Sequence, residues 1–187
     1  MASVEQPGVR DPAPEPLRLV QDLVNTVDLE DGVDELDTPR ALTAWVRGRG
    51  IDPGQDFDAG GLADVLDLRE ALRDVCSAHA GTDVPPGAGA TLERLLAAAP
   101  LRLAVDAEGG ASVLPAPGLT GAAALTAGAA AAIAGATADG TWPRLKACAS
   151  DTCRWVYYDR SPAGRSRWCT MAICGSRAKM RAYRSRK

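Results

Sequence analysis

The sequence has few of the side chains that most enzymes use for acid–base chemistry. It contains one histidine, His79, and its aromatic residues make up only 4% of the chain, with a single phenylalanine. His79 falls on the apolar face of a predicted helix, without the partners that general acid–base catalysis requires. No glycine-rich phosphate loop follows a predicted strand. We therefore expect a protein that is not an enzyme and a structural role for His79.

A secretory signal and a convincing membrane segment are also missing. Residues 1–16 contain four prolines and three acidic residues, which is typical of a disordered leader and not of a signal peptide. The most apolar stretch, residues 118–138, consists mainly of Ala, Gly and Thr, whereas membrane insertion favours Leu, Ile and Phe. These features predict a cytoplasmic protein without membrane contact.

Four of the five cysteines form two pairs near the C-terminal end. Cys148 and Cys153 have four residues between them, as do Cys169 and Cys174, and fifteen residues separate the pairs. Short loops within each pair and a longer spacer between them are typical of structural zinc sites, which are closed by four protein ligands. The spacing predicts one structural Zn²⁺ held by these four thiolates.

Two alternatives to the zinc site stay open at this point. The four cysteines could form disulfides, but disulfides are typical of oxidising compartments and the chain shows no secretory segment. They could also be unrelated buried thiols, in which case four of five cysteines share 27 residues by chance. The fifth, Cys76, is most simply a small residue of the helical core.

The C-terminal region resembles a known family. Residues 153–161, residues 167–179 and the basic tail are similar to the CGNR zinc finger, which is named for a Cys-Gly-Asn-Arg tetrapeptide. This chain has Cys174-Gly175-Ser176-Arg177, so Ser replaces the Asn. The resemblance implies a zinc finger over residues 145–187 with the two cysteine pairs as ligands. Ser176 can still cap the start of a helix.

The preceding region is similar to the ABATE domain, described as a stress-response regulatory module that usually precedes a CGNR finger. The resemblance covers residues 17–140 and rests on Asp22-Leu-Val-Asn-Thr26, on Leu36-Asp-Thr-Pro39 and on residues 68–73. The order of the two parts in this chain is that of the family. The resemblance therefore implies a regulator of transcription with two domains.

Hydrophobic periodicity predicts a mainly α, α+β N-terminal domain with one β-hairpin around Gly109-Gly110. The helices are predicted at residues 17–28, 39–49, 62–80, 90–99 and 119–137. In the finger, the β-rich run 155–158 is expected to pair with residues 167–169. A helix from Cys174 to about Arg186 completes a layout like that of a treble-clef finger.

Charge is divided sharply along the chain. From Arg144 onward there are twelve Lys or Arg and two Asp, a net charge of +10, and the preceding residues carry −13. A basic region of this kind indicates contact with nucleic acid or with a membrane surface. The candidate contact residues are Arg165, Arg167, Arg177, Lys179, Arg181 and Arg184.

These features favour a zinc-dependent DNA-binding transcription regulator whose N-terminal domain senses a signal or forms a homodimer, and an RNA target stays open. The main alternative is a protein-interaction module whose basic finger docks on an acidic domain. A third is an enzyme or small-molecule sensor housed in the N-terminal domain. Its candidate residues, Asp22, Asn25 and Thr26, interrupt an apolar helix and are equally well explained as groups that hydrogen-bond between helices.

Overall fold

The computed structural model describes residues 10–185. Within them, six helices and three two-stranded antiparallel sheets follow in chain order. The helices are α1 Leu17–Val24, α2 Pro39–Gly48, α3 Ala59–Ala78, α4 Pro86–Ala97, α5 Gly121–Ala138 and α6 Ser176–Arg184. The strands are β1 Val27–Asp28, β2 Val33–Asp34, β3 Leu101–Val105, β4 Ala111–Pro115, β5 Leu145–Ala147 and β6 Val156–Tyr158. The predicted fold class is confirmed: a mainly helical part precedes a small finger with a hairpin and a terminal helix.

Helix α3 lies at the centre of the molecule. It packs against α1, α2, α4, α5 and β5, and it buries Val65, Leu68 and Leu72 in their midst. Helix α5 is long and apolar enough to cross a membrane by length and composition. It packs against α1, α3, α4 and β4, because its small side chains allow neighbouring backbones to approach closely.

Polar caps and prolines set the helix starts. Thr38 Oγ1 accepts a hydrogen bond from Ala41 N at 3.2 Å and Pro39 occupies the first helical turn of α2, as the sequence predicts. Asp58 caps α3 in the same way, through Gly61 N at 2.7 Å. This cap starts α3 at Ala59, before the predicted residue 62. Helix α4 likewise begins at Pro86 and not at residue 90.

Helix α1 ends at Val24, four residues before its predicted end at Asp28. Val27 and Asp28 instead pair with Val33 and Asp34 in a short hairpin. Asp28 turns the chain, because its carboxylate accepts hydrogen bonds from the amides of residues 30 and 31. Short polar side chains of this kind compete with the helical hydrogen bonds, which the apolar periodicity alone does not reveal.

The hairpin predicted around Gly109-Gly110 is formed by β3 and β4, with Val105 opposite Ala111 next to the turn. Gly109 has a φ of +84°, a conformation that glycine adopts at little cost.

The strand pairing predicted for the finger is wrong. Strand β6 pairs with β5, Leu145–Ala147, and not with residues 167–169. The segment 167–169 forms no strand and approaches the hairpin through one hydrogen bond, from Ala149 N to Arg167 O at 2.8 Å. The hairpin loop therefore carries the first cysteine pair, and the second pair comes from the chain that follows.

The expected disordered leader divides into two parts. Residues 1–9 lie outside the described residues, as does the predicted end of the last helix at Arg186. Residues 10–16 are packed on the molecule: Ala13 is buried, and its amide donates to Gln21 Oε1 at 2.6 Å. Arg10 extends to the finger, where its guanidinium lies over the Tyr157 ring at 4.7 Å.

Candidate metal centre

The four paired cysteines converge on one point. The sulfurs of Cys148, Cys153, Cys169 and Cys174 all lie within 4.8 Å of one another. The Sγ–Sγ distance is 3.8 Å between Cys153 and Cys169 and 3.7 Å between Cys169 and Cys174. A tetrahedral zinc with Zn–S bonds of about 2.3 Å requires Sγ–Sγ distances of about 3.8 Å. The described sulfurs therefore fit a zinc ion, and none of the five cysteines is in a disulfide.

The hairpin loop positions the first pair of sulfurs. Cys148 continues the ladder beyond β5, since its amide donates to Trp155 O at 2.9 Å. Ser150 O then accepts from the amides of Cys153 and Arg154, at 2.9 and 3.0 Å, which closes the loop between the two cysteines. Arg154 leaves this loop with a φ of +48°, in the left-handed region that L residues rarely adopt.

Helix α3 holds Arg154 in this conformation. The guanidinium of the fully buried Arg73 donates to Arg154 O at 3.1 Å. On the other side, Arg154 Nη2 donates to Asp74 Oδ1 at 2.6 Å. These contacts from the helical part offset the cost of the left-handed backbone beside a ligand. This role could not be predicted from the sequence, because two arginines among many in an Arg-rich chain carry no distinctive pattern.

A buried ion pair organises the segment that returns to the second pair. Lys146 Nζ donates to Asp159 Oδ2 at 3.1 Å and to Gly164 O at 2.5 Å. Asp159 also accepts from the amides of Ser161 and Ser166, at 3.0 and 2.8 Å. Burial raises the pKa of Asp159, and the hydrogen bonds from Ser161 and Ser166 outweigh it, so the net pKa is lowered. The segment 160–166 is thus fixed to the hairpin and delivers Cys169 to the cluster.

Cys174 lies in a wide helical turn, Met171–Gly175, directly before α6. Thr170 caps the turn by accepting from Ala172 N at 3.3 Å, and its carbonyl accepts from Gly175 N at 3.1 Å. A side chain on Gly175 would meet the Met171 sulfur at 2.7 Å and Trp168 at 3.3 Å, so the turn leaves little room at this position. The N-terminus of α6 follows the ligand, and its dipole favours the nearby negative charge.

The close approach of the four sulfurs shifts the pKa values of their thiols. Hydrogen bonds from Cys153 and Cys169 lower the pKa of Cys148 to about 2. The bond to Cys148 raises the pKa of Cys153 to about 12, and it also raises that of Cys169. Burial raises the pKa of Cys174. Close contacts and burial thus raise the pKa of three of the four thiols, whereas a bound zinc ion stabilises all four sulfurs as thiolate ligands.

Strand β6 joins the metal centre to the helical core, because successive side chains of a strand point to opposite faces. Val156 and Tyr158 are buried in the main core with residues of α1 and α3. Trp155 and Tyr157 are buried with the cysteines in a second cluster. Leu145 and Ala147 of β5 are also in the main core. The finger hairpin therefore contributes side chains to the cores of both parts.

Asn25 attaches the end of α1 to this hairpin through two buried hydrogen bonds. Its amide group donates to Val156 O at 2.7 Å and accepts from Val156 N at 2.8 Å, as an additional strand would. Gln21 Nε2 donates to the same carbonyl at 3.2 Å. The end of α1 is thereby attached to the strand that follows the first cysteine pair.

The other residues of the candidate polar cluster lie in different internal contacts. Thr26 donates to Leu23 O at 2.8 Å and accepts from Arg69 Nη1 at 3.2 Å. Asp22 lies 3.7 Å from Arg18 and 3.6 Å from Arg49, and its burial raises its pKa despite these cations. His79 also makes an internal contact, with Nδ1 2.7 Å from Leu145 O at the start of β5. The structure thus does not bring Asp22, Asn25 and Thr26 together around a common point.

The candidate nucleic-acid residues lie on the surface of the finger. All six are exposed. Arg177, Arg181 and Arg184 line one open groove along α6, and Arg177 also pairs with Glu30 of the β1–β2 turn. Lys179 lies elsewhere on the same helix, and Arg165 and Arg167 lie on the segment before Cys169. No side chain of α6 is buried.

Comparison with protein families agrees with both resemblances. The CGNR zinc finger model matches residues 144–187. The ABATE model, described as "Putative stress-induced transcription regulator", matches residues 17–140. No curated protein matches the chain. Together with the geometry of the four sulfurs, the CGNR match identifies a single structural Zn²⁺, and the two matches together indicate a zinc-binding regulator.

Proposed function

Because the chain belongs to the ABATE family and ends in a CGNR zinc finger, we propose that it is a non-catalytic transcription regulator that binds DNA through the finger. The observation that carries the proposal is helix α6. It follows a zinc ligand directly, buries none of its side chains and presents a row of arginines to solvent. A helix serving only the stability of the fold would bury one face.

The charge of the finger supports the same proposal. No acidic residue follows Asp159 in the sequence, so the surface of α6 and of the segment 160–168 is basic apart from the ion pairs of Arg177 with Glu30 and of Arg160 with Asp11. Phosphate contacts by such a surface release counterions and make binding depend on salt. The helical part, with its net charge of −13, is excluded from the contact by repulsion.

The test is a fluorescence anisotropy titration of the full chain against duplex DNA at several salt concentrations. The full chain is required because β5 and β6 contribute to the main core. If about six phosphates are neutralised, the slope of log K against log salt is about −5. The variant Arg181→Gln/Arg184→Gln is expected to flatten this slope, and Arg40→Gln, an exposed arginine on α2, is the matched control. The proposal would be contradicted if the affinity did not depend on salt concentration, or if Arg181→Gln/Arg184→Gln, like the control, left the affinity unchanged.

A second candidate function is docking of the basic finger on an acidic surface. The observation in its favour is the ion pair between Arg177 and Glu30, beside which lie Asp28 and Asp31 of the same turn. In this candidate the acidic turn competes with phosphate for Arg177. It predicts that Glu30→Gln increases DNA affinity at low salt. An unchanged affinity would show that the acidic turn does not compete with phosphate for Arg177.

A further inference from the structure

The groove along α6 is lined by apolar side chains as well as by arginines. Ile173 and Met180 are 45% and 53% exposed there, although both are large apolar side chains. The groove encloses about 500 Å³. Its lining residues are Ala172, Ile173, Ser176, Arg177, Met180, Arg181 and Arg184.

Phosphate binding alone does not account for this composition. Arginines and lysines neutralise phosphates from any exposed position, and contacts to the DNA backbone carry no sequence information directly. Covering the exposed Ile173 and Met180 side chains with an apolar group of a partner would be favourable, because it removes apolar surface from water. Three arginines line the same groove, and only Arg177 among them pairs with an acidic side chain, Glu30, so a negatively charged partner would complement it.

The dimensions of α6 match one nucleic-acid groove. A helix such as α6 is about 10–12 Å across with its side chains, and the major groove of B-DNA, about 12 Å wide, admits it. The corresponding groove of duplex RNA is too deep and narrow for side chains to read. The apolar group on the base edges of the DNA major groove is the methyl group of thymine.

We infer that α6 lies in the major groove of double-stranded DNA, with Met180 and Ile173 against thymine methyl groups and the three flanking arginines on phosphates. This inference rests on the proposed function and specifies it further: the target is duplex DNA and not RNA, and the apolar pair contributes sequence preference. The arginines contribute the affinity that depends on salt.

The experiment compares two duplexes that differ in the methyl group. One is alternating dA and dT, and the other has deoxyuridine at every thymine position. The full zinc-loaded chain is expected to bind the thymine duplex more tightly, by about fourfold for each methyl group that it covers. Met180→Gln should lose much of this preference, and Met180→Leu should keep it. Arg181→Gln should weaken binding to both duplexes and leave their ratio unchanged.

The effect of Met180→Gln on the ratio is the decisive quantity, because the ratio alone also reports differences in duplex shape. Met180 is half exposed, so the variant is expected to keep its zinc content and circular dichroism spectrum. If the unaltered chain binds both duplexes equally, or if Met180→Gln keeps the preference, the inference is overturned while DNA binding stands. Failure to bind either DNA duplex, or tighter binding to a duplex RNA of the same length measured as a third arm, would overturn the proposed function itself.

Discussion

The hairpin of β5 and β6 separates two cores that are built in different ways. On one side, aliphatic residues of α1, α2, α3 and α5 form a core large enough to be held by apolar burial. On the other side, the described part of the finger buries Cys148, Cys169 and Cys174 with Trp155 and Tyr157, and Cys153 and Trp168 are partly buried against them. The second core is too small to be stable without its metal.

The comparison shows that the finger is not a separable module. A conventional small finger would enclose its own hydrophobic residues, but here Leu145 and Val156 turn away from the cysteines into the helical core. Asn25 and Arg73 then attach the helical part to the backbone beside the ligands. Metal binding and the packing of the helices are therefore thermodynamically linked through one shared strand.

The largest effect is expected from removing one zinc ligand. Cys169→Ser should abolish stoichiometric zinc binding and lower the melting temperature of the helical signal as well as that of the finger. Zinc binding contributes about 10–16 kcal/mol in isolated finger peptides, which is comparable to the whole stability of a domain. The measurements are metal content and thermal unfolding followed by circular dichroism.

Cys76→Ala is the matched control for this prediction. Cys76 is buried in α3, away from the cluster, and burial raises the pKa of its thiol to about 12. This variant should keep one zinc per chain and lose only the stability of a slightly underpacked core. A helical melting transition that Cys169→Ser leaves unchanged would show that the two cores are independent.

A smaller effect is expected where Asn25 attaches α1 to the finger hairpin. Asn25→Ala removes both hydrogen bonds between the Asn25 side chain and Val156. The buried N–H of Val156 then lacks its acceptor, and the expected cost is about 3 kcal/mol. Because the lost contact holds the strand after Cys153, zinc affinity should fall together with stability. Competition with a chromophoric chelator measures the first, and urea unfolding measures the second.

Asp22→Asn separates this effect from a general weakening of α1. Asp22 lies on the same helix but faces Arg18 and Arg49 and not the hairpin. Its replacement should leave zinc affinity unchanged. If Asn25→Ala also leaves zinc affinity unchanged, the attachment of α1 does not support the metal site.

The smallest of these effects concerns an ion pair confined to the helical core. Burial raises the pKa of Asp34, but hydrogen bonds from Arg69, at 2.8 Å to each oxygen, outweigh it and lower the net pKa. A lowered pKa stabilises the fold above the unfolded value, about 4, and this stabilisation is lost as pH falls through the folded value. Asp34→Asn should cost about 2 kcal/mol at neutral pH.

The readout for Asp34 is the difference in unfolding free energy between the unaltered chain and the variant as a function of pH. Acid also releases zinc by protonating the thiolates, but this affects both chains equally and cancels in the difference. The difference should be constant at neutral pH and shrink below about pH 4. If the difference in unfolding free energy stays constant into strong acid, the protonation of Asp34 is not linked to the stability of the fold.

The sequence predicted features that depend on local chemistry. The spacing of the four cysteines, the Thr38-Pro39 helix start and the Gly109-Gly110 turn each require particular residues at fixed distances, and these are visible in a single chain. The metal centre could therefore be predicted residue by residue, without knowledge of the fold.

The features that it did not predict depend on contacts between distant segments. The run 155–158 is apolar on both faces, so its pattern could not show whether β5 or residues 167–169 would be its partner. The burial of Arg73 depends on two carbonyls, Val24 O and Arg154 O, which only the folded chain brings within reach. The role of Asn25 has the same origin.

The most direct test of the linkage is amide hydrogen exchange during zinc titration of chelator-treated protein. Amides of β6, of α1 and of α3 are followed separately in the full chain. The account predicts that all three become protected together and reach full protection at one zinc per chain. Full protection of α1 and α3 before zinc is added, with only β6 responding to the metal, would contradict it.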